Sequence, residues 1–146
     1  MDYLPLFHNL KGRRIVVVGG GEIALRKVRL VQEASALITI IAKDFCPDLL
    51  EMDKADKEHG CNGLELITAA YEHQHLLQYP NTVMVIAATN DRDLNRLVSE
   101  HAQQANMLSN VVDDPGFSTV IFPSIVDRSP IQVAISSGGD APVLVR

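Results

Sequence analysis

The chain has 146 residues, one domain's worth and enough to bury a sizeable core. Its apolar fraction of 47% and charged fraction of 21% are ordinary globular values. A net charge of -5 argues against a general nucleic-acid binder, because no basic stripe is available to neutralise phosphates, and no apolar run approaches a membrane span.

The opening residues lack a basic stretch followed by an apolar one, so a cytoplasmic protein is the simplest reading. Residues 1–12 form a lead-in whose Leu4, Leu6, Phe7 and Leu10 are expected to lie against a sheet. Ile15 to Val18 is a β-branched run without polar alternation, which suits a parallel strand buried on both faces. Gly19-Gly20-Gly21-Glu22-Ile23-Ala24 follows, and then a helical pattern with Ala24, Val28 and Val31 inward and Arg26, Lys27 and Arg29 turned outward. The helix gives out near Ala34-Ser35, and Leu37 to Ala42 is a second apolar strand. Strand, glycine turn, helix and strand fit the thirty or so residues of a βαβ unit.

That spacing has a chemical use. Gly19 permits the tight turn, Gly21 lets backbone approach a pyrophosphate, and Ala24 allows close packing of helix on strand. The helix start directs free N–H groups and a positive dipole end at the phosphates. A bare glycine pattern is weak evidence, but here it follows a strand and opens a helix, so a dinucleotide site is expected. About twenty residues on, Lys43-Asp44 stands where an acid would hold the ribose 2′-OH. Asp44 favours NAD, although Lys43 would tolerate a 2′-phosphate; the expected cofactor is NAD.

Cys46-Pro47-Asp48 looks like a helix start, Leu64 to Ala69 like a strand, and Tyr71 to Leu77 like a short helix. Met84 to Thr89 is another buried strand. Asp91 or Asp93 then caps a helix to about Gln104, with Leu94, Leu97, Val98 and His101 or Ala102 on one face. Leu108 to Val112 is a further strand, ending in Asp113-Asp114-Pro115-Gly116. This alternation predicts an α/β fold, a Rossmann-like doubly wound parallel sheet with ligands beyond the carboxyl ends of the strands. The rule gathers Gly19, Gly21, Glu22 and Ile23 with Lys43, Asp44, Thr89, Asn110 and Val111 as candidate cofactor contacts.

From Ser118 the texture changes. Thr119 to Pro123 and Ile131 to Ser136 read as a β-hairpin added at the C-terminal end, turning at Val126 to Pro130. Residues 1–113 are therefore expected to form a nucleotide-binding domain. Residues 114–146 would be a hairpin extension stopping at the opening of a helix, as in a domain lifted from a longer protein. Cys46 and Cys61 fit no metal spacing and suggest no disulfide framework, and His73 and His75 read as solvated surface. No fixed metal site is expected.

Taken together, the chain resembles the N-terminal module of siroheme synthase, the precorrin-2 dehydrogenase and sirohydrochlorin ferrochelatase family, over nearly its whole length. The resemblance rests on MDYLPLF at the start, VGGGEIA with Arg26-Lys27, Ala87-Ala88-Thr89 and Asn110 to Asp113. Most distinctive are Phe122 to Pro130, FPSIVDRSP, and Ser136-Ser137-Gly138-Gly139 with Ala141-Pro142-Val143. It implies two reactions: oxidation of precorrin-2 to sirohydrochlorin with NAD, then insertion of ferrous iron, met by the substrate itself, to give siroheme. It assigns both to one aspartate, Asp113, and implies a homodimer paired through the C-terminal region.

A carboxylate closing a strand at the cofactor edge can accept the proton released as hydride departs. The bland reading is that Asp113 and Asp114 cap a turn. The tetrapyrrole carries many carboxylates, so Ser124, Arg128, Ser136, Ser137, Gly138 and Gly139 are its expected local donors. Arg128 has equal standing as a partner of Asp127 or a dimer contact. The competing classes are a non-catalytic NAD-binding regulatory module, and a member that keeps only one of the two activities.

Overall fold

The computed structural model describes residues 1–138. Five strands, β1 (Arg14–Val18), β2 (Leu37–Ala42), β3 (Leu64–Thr68), β4 (Thr82–Ala87) and β5 (Leu108–Val111), pair in parallel in the order β3-β2-β1-β4-β5. Helices α1 (Glu22–Glu33), α2 (Pro47–Glu58), α3 (His73–Leu77) and α4 (Arg92–Gln104) occupy the crossovers. An antiparallel hairpin of β6 (Ser124–Arg128) and β7 (Ile131–Ile135) follows. This is the expected Rossmann-like doubly wound sheet with a C-terminal hairpin.

The β-branched run of β1 is central because each side chain has an apolar layer waiting for it. Ile15 and Val17 pack on one face with Val28 and Val31 of α1, Leu49 of α2 and Ile38 and Ile40 of β2. Val16 and Val18 pack on the other with Leu76 of α3 and Val98 and Ala102 of α4. Burying each such branched side chain stabilises the fold by about 2 kcal/mol. With both faces covered, the run cannot alternate with polar residues.

Three expectations fail, each for a physical reason. Leu4, Leu6 and Phe7 are 69%, 79% and 71% exposed, and of the lead-in's apolar residues only Leu10 reaches the core. The α4 face was expected to include Leu97, but Leu97 is exposed and the buried positions are Asn95, Val98, Ser99 and Ala102. Two of those four are polar, which mis-phases an apolar count. The hairpin's first strand is Ser124–Arg128 rather than residues 119–123, with Ser129-Pro130 as its turn. Thr119 and Val120 do run beside a strand, but it is β5: both backbone N–H groups donate to the Ser109 carbonyl.

The histidines are less idle than expected. His73 stays exposed yet stacks on His101, ring centroids 4.0 Å apart, while the Tyr71 hydroxyl lies 2.9 Å from His101 Nδ1. Burial pushes the Tyr71 hydroxyl up to about 12, and burial beside His73 holds His101 below the ordinary histidine range. His75 closes a capping box with Glu72 at the start of α3. Cys46 and Cys61 are free thiols.

Candidate functional site

The sheet order reverses at β1, whose neighbours are β2 and β4, so the crevice beyond their carboxyl ends is where a doubly wound fold takes a ligand. The glycine turn fills this point. Gly19 has φ +129°, and a Cβ there would collide with the Ala88 carbonyl beyond β4. A Cβ on Gly20 would strike the Asp44 carbonyl beyond β2. Gly19 N–H donates to the Ile41 carbonyl at 3.0 Å, and Cys46 N–H donates to the Gly20 carbonyl at 2.7 Å. The turn is thus wedged between two strand ends.

Gly21 differs from both. A Cβ there would meet nothing within 4 Å. It is also the N-cap of α1, with no side-chain oxygen closing the helix start. Open space at the residue expected to meet a pyrophosphate, beside uncapped N–H donors, fits a dinucleotide. Glu22 opens the helix, Ile23 packs against the core, and Lys43 and Asp44 are exposed at the adjoining end of β2.

Past β4, Thr89 is held by a residue the sequence reading missed. Asn95 Oδ1 accepts from Thr89 N–H at 3.1 Å and from its hydroxyl at 2.6 Å, while Asn95 Nδ2 donates to the Thr89 carbonyl at 3.0 Å. Asp91 accepts from the N–H groups of Asp93 and Leu94, so Asp91 is the cap of α4. The turn after β4 is therefore fixed from inside, and Asn95 has its place on the buried face because it does this work.

The end of β5 is stitched in a similar way. Ser118 Oγ accepts from Val111 N–H at 2.9 Å and donates to the Asp114 carbonyl at 3.0 Å. Asn110 Nδ2 donates to the Val120 carbonyl at 2.9 Å. Ser99 Oγ, on the buried face of α4, donates to the Phe117 carbonyl and meets Ser109 Oγ at 2.9 Å. The short 3-10 turn Pro115–Phe117 and the segment after it are thus anchored to the sheet.

Between this anchored segment and α1 lies a cavity of about 780 Å³. Asp113 and Asp114 both line it, with different commitments. Asp114 lies 3.6 Å from Arg92 and 3.7 Å from Arg96, so its charge is already balanced by α4. Asp113 belongs to none of the ion pairs among the described residues and is exposed. Its φ of +59° is a left-handed conformation that costs a non-glycine residue about 1 kcal/mol or more, though aspartate tolerates it better than most. β1 and β5 run parallel, so Asp113 and the glycine turn stand at the same edge of the sheet.

The cavity brings together Asn110, Val111, Asp113, Ser124, Ser136 and Ser137 of the residues expected from sequence. It also takes in two that were expected to point outward: Arg26 and Lys27 of α1. Arg29, the third of that group, pairs instead with Asp48 of α2 at 3.1 Å. Arg128 is not among the lining residues; its guanidinium donates to the backbone carbonyl of Asp127 near the hairpin turn. Gly138, with φ +71°, donates its N–H to Ser136 Oγ at 3.1 Å. Gly139, and the helix opening expected near Pro142, lie outside the described residues.

A smaller cavity of about 240 Å³, lined by Arg14, Leu37, Asn62 and Glu65, sits at the amino ends of β1 to β3, the wrong edge for this fold's ligands. Among the described residues no group of three or more His, Cys, Asp or Glu side chains is placed to hold a metal ion. No described helix is long and apolar enough to cross a membrane.

A parallel sheet whose switch point carries a glycine turn and an uncapped helix start defines a nucleotide-binding domain of the doubly wound class. The family model described as "Putative NAD(P)-binding" matches residues 6–124, and the chain belongs to that family. It is 51% identical over all 146 residues to a siroheme synthase of Stutzerimonas stutzeri and 50% identical to one of Pseudomonas entomophila. In each case it spans 30% of the relative's length. Among solved structures it is similar to SirC, a precorrin-2 dehydrogenase, with a TM-score of 0.78 and 27% identity, over 98% of this chain and 66% of that one.

Proposed function

We propose that this chain binds NAD at the Gly19–Ile23 turn and oxidises precorrin-2 to sirohydrochlorin. The observation that carries the reading is the cavity at the carboxyl edge, where an uncommitted, conformationally strained Asp113 stands beside serine hydroxyls and two cations. The likeness to siroheme synthases and to a precorrin-2 dehydrogenase supplies the substrate class.

NAD⁺ bound at the turn supplies the hydride acceptor. The uncapped N–H groups of α1 would hold its pyrophosphate, and Asp44 would take the ribose 2′-OH, which favours NAD over NADP. Precorrin-2 gives up a hydride and a proton, and Asp113 is the base for that proton. Ser124, Ser136 and Ser137 donate to the substrate's carboxylates. Residues 1–113 carry the nucleotide and Asp113, while the hairpin region closes the substrate side.

Oxidation, not iron insertion, is the reaction proposed for this chain. The structural neighbour is named for dehydrogenation alone, and this chain spans only 30% of the siroheme synthase that it matches. The oxidation is tested by NADH absorbance when precorrin-2 and NAD⁺ are added to the protein. A stoichiometric rise is expected. NAD binding with no rise would replace the enzyme by a regulatory nucleotide-binding module.

We also propose that two copies pair through the hairpin. Its Ile125, Val126, Ile131, Val133 and Ile135 are each between 44% and 67% exposed, and a lone two-stranded hairpin is marginal in water. Val126 faces Val133 across the ladder, and Ile131 and Ile135 share that face. Sedimentation equilibrium is expected to give twice the chain's mass, and Val133→Lys to give the single mass. A monomeric parent protein would overturn the pairing.

A further inference from the structure

Lys27 is a cation without an ion-pair partner among the described residues. It lies beside the buried stripe of Ala24, Leu25, Val28 and Val31, so its aliphatic stem is half-buried along α1 while its head reaches the cavity. The ammonium sits 4.6 Å from the centre of the Phe122 ring. It enters none of the hydrogen bonds or ion pairs found among the described residues. Burial pulls its pKa below the ordinary lysine value, partly offset by the charge of Asp113 and reinforced by Arg26. Its three N–H donors therefore face a cavity with no oxygen assigned to them.

That placement answers a problem the cavity poses. An anionic macrocycle must settle against a wall that already carries Asp113 and Asp114. Asp114 is neutralised by Arg92 and Arg96, whereas Asp113 has no ion pair among the described residues and feels only the nearby Lys27 charge. A peripheral carboxylate can approach that wall only where a cation offsets the repulsion. The Phe122 ring lies beneath the ammonium and holds it at this wall of the cavity.

We propose that Lys27 is a positioning residue whose ammonium, held over Phe122, takes a peripheral carboxylate of the macrocyclic substrate and so seats the macrocycle on the wall that carries Asp113. The inference rests on the proposed oxidation for the identity of the anion, and on the cavity alone for the cation. Lys27 thus fixes which way round the macrocycle lies, while Asp113 does the chemistry.

The probe is sirohydrochlorin, titrated by its absorbance change against the parent protein, Lys27→Met and Lys27→Arg, with its methyl-esterified form as a second ligand. Lys27→Met is expected to weaken sirohydrochlorin binding by about tenfold or more, and Lys27→Arg to restore most of the loss. The precorrin-2 KM should rise in step, with kcat and NAD affinity held within about twofold. The ester should bind the parent protein more weakly than the acid, a result that needs no variant to fold. Equal binding of acid and ester, or unchanged binding in a folded Lys27→Met, overturns the proposal. So does a fall in kcat with an unchanged KM and a shifted pH profile, which would make Lys27 a partner of Asp113 instead. Failure of the parent protein to bind sirohydrochlorin also overturns it, whereas tight binding without NADH formation defeats the oxidation and leaves Lys27 standing.

Discussion

Asp113→Asn is expected to lower NADH formation from precorrin-2 on the order of a thousandfold, the usual reach of a well-placed general base. NAD affinity and Tm should stay at their parent values. The choice of asparagine follows from the backbone. At φ +59° a change to alanine would remove the carboxylate and also place a plain Cβ in a left-handed conformation. Asparagine tolerates that conformation about as well as aspartate, so only the charge and the proton-accepting oxygen are lost. The stability cost should be small because Asp113 makes no ion pair among the described residues and stands exposed. Asp114 could not serve this test: its removal would strand Arg92 and the partly buried Arg96. Turnover within about tenfold of the parent protein would show that the proton leaves by another route, and Asp113 would revert to a turn residue.

The frame of this site was legible because local chemistry determines it. Ile15 to Val18 allowed only a doubly buried strand, and the glycines after it only a tight turn into a helix; the structure places β1, α1 and β2 within a residue or two of expectation. Parallel pairing then brought Gly19, Asp44, Thr89 and Asn110 to one edge, although they are far apart in the chain. What stayed hidden depended on partners distant in sequence. Asn95 and Ser99 are buried because Thr89, Ser109 and the Phe117 carbonyl satisfy them, and no periodicity in α4 announces those bonds. Thr119 and Val120 look like hairpin residues because they do lie along a backbone edge, that of β5. Lys27 is the sharpest case. Helical spacing says that it leaves the core stripe, but not that Phe122, ninety-odd positions later, returns to cover it.

The glycine turn yields a paired result in which folding and binding separate. Gly19→Ala is expected to destabilise the protein by about 2–5 kcal/mol, from left-handed backbone strain plus forced separation of packed main chain. The Ala88 carbonyl is the obstacle, and it cannot give way easily because Ala88 N–H is bonded to the Val18 carbonyl at 2.8 Å. Against a total stability of about 5–15 kcal/mol, that loss should lower Tm on the order of 10 °C. Gly21→Ala should do the reverse. Its Cβ enters empty space at an ordinary φ of -93°, so Tm should hold. The same methyl group would stand where a pyrophosphate comes against the backbone, and NAD affinity should fall about tenfold or more. Calorimetry for the first variant and NAD titration for the second check the pair. If Gly21→Ala binds NAD as tightly as the parent protein, the dinucleotide does not cross the turn at Gly21, and the uncapped start of α1 has some other ligand.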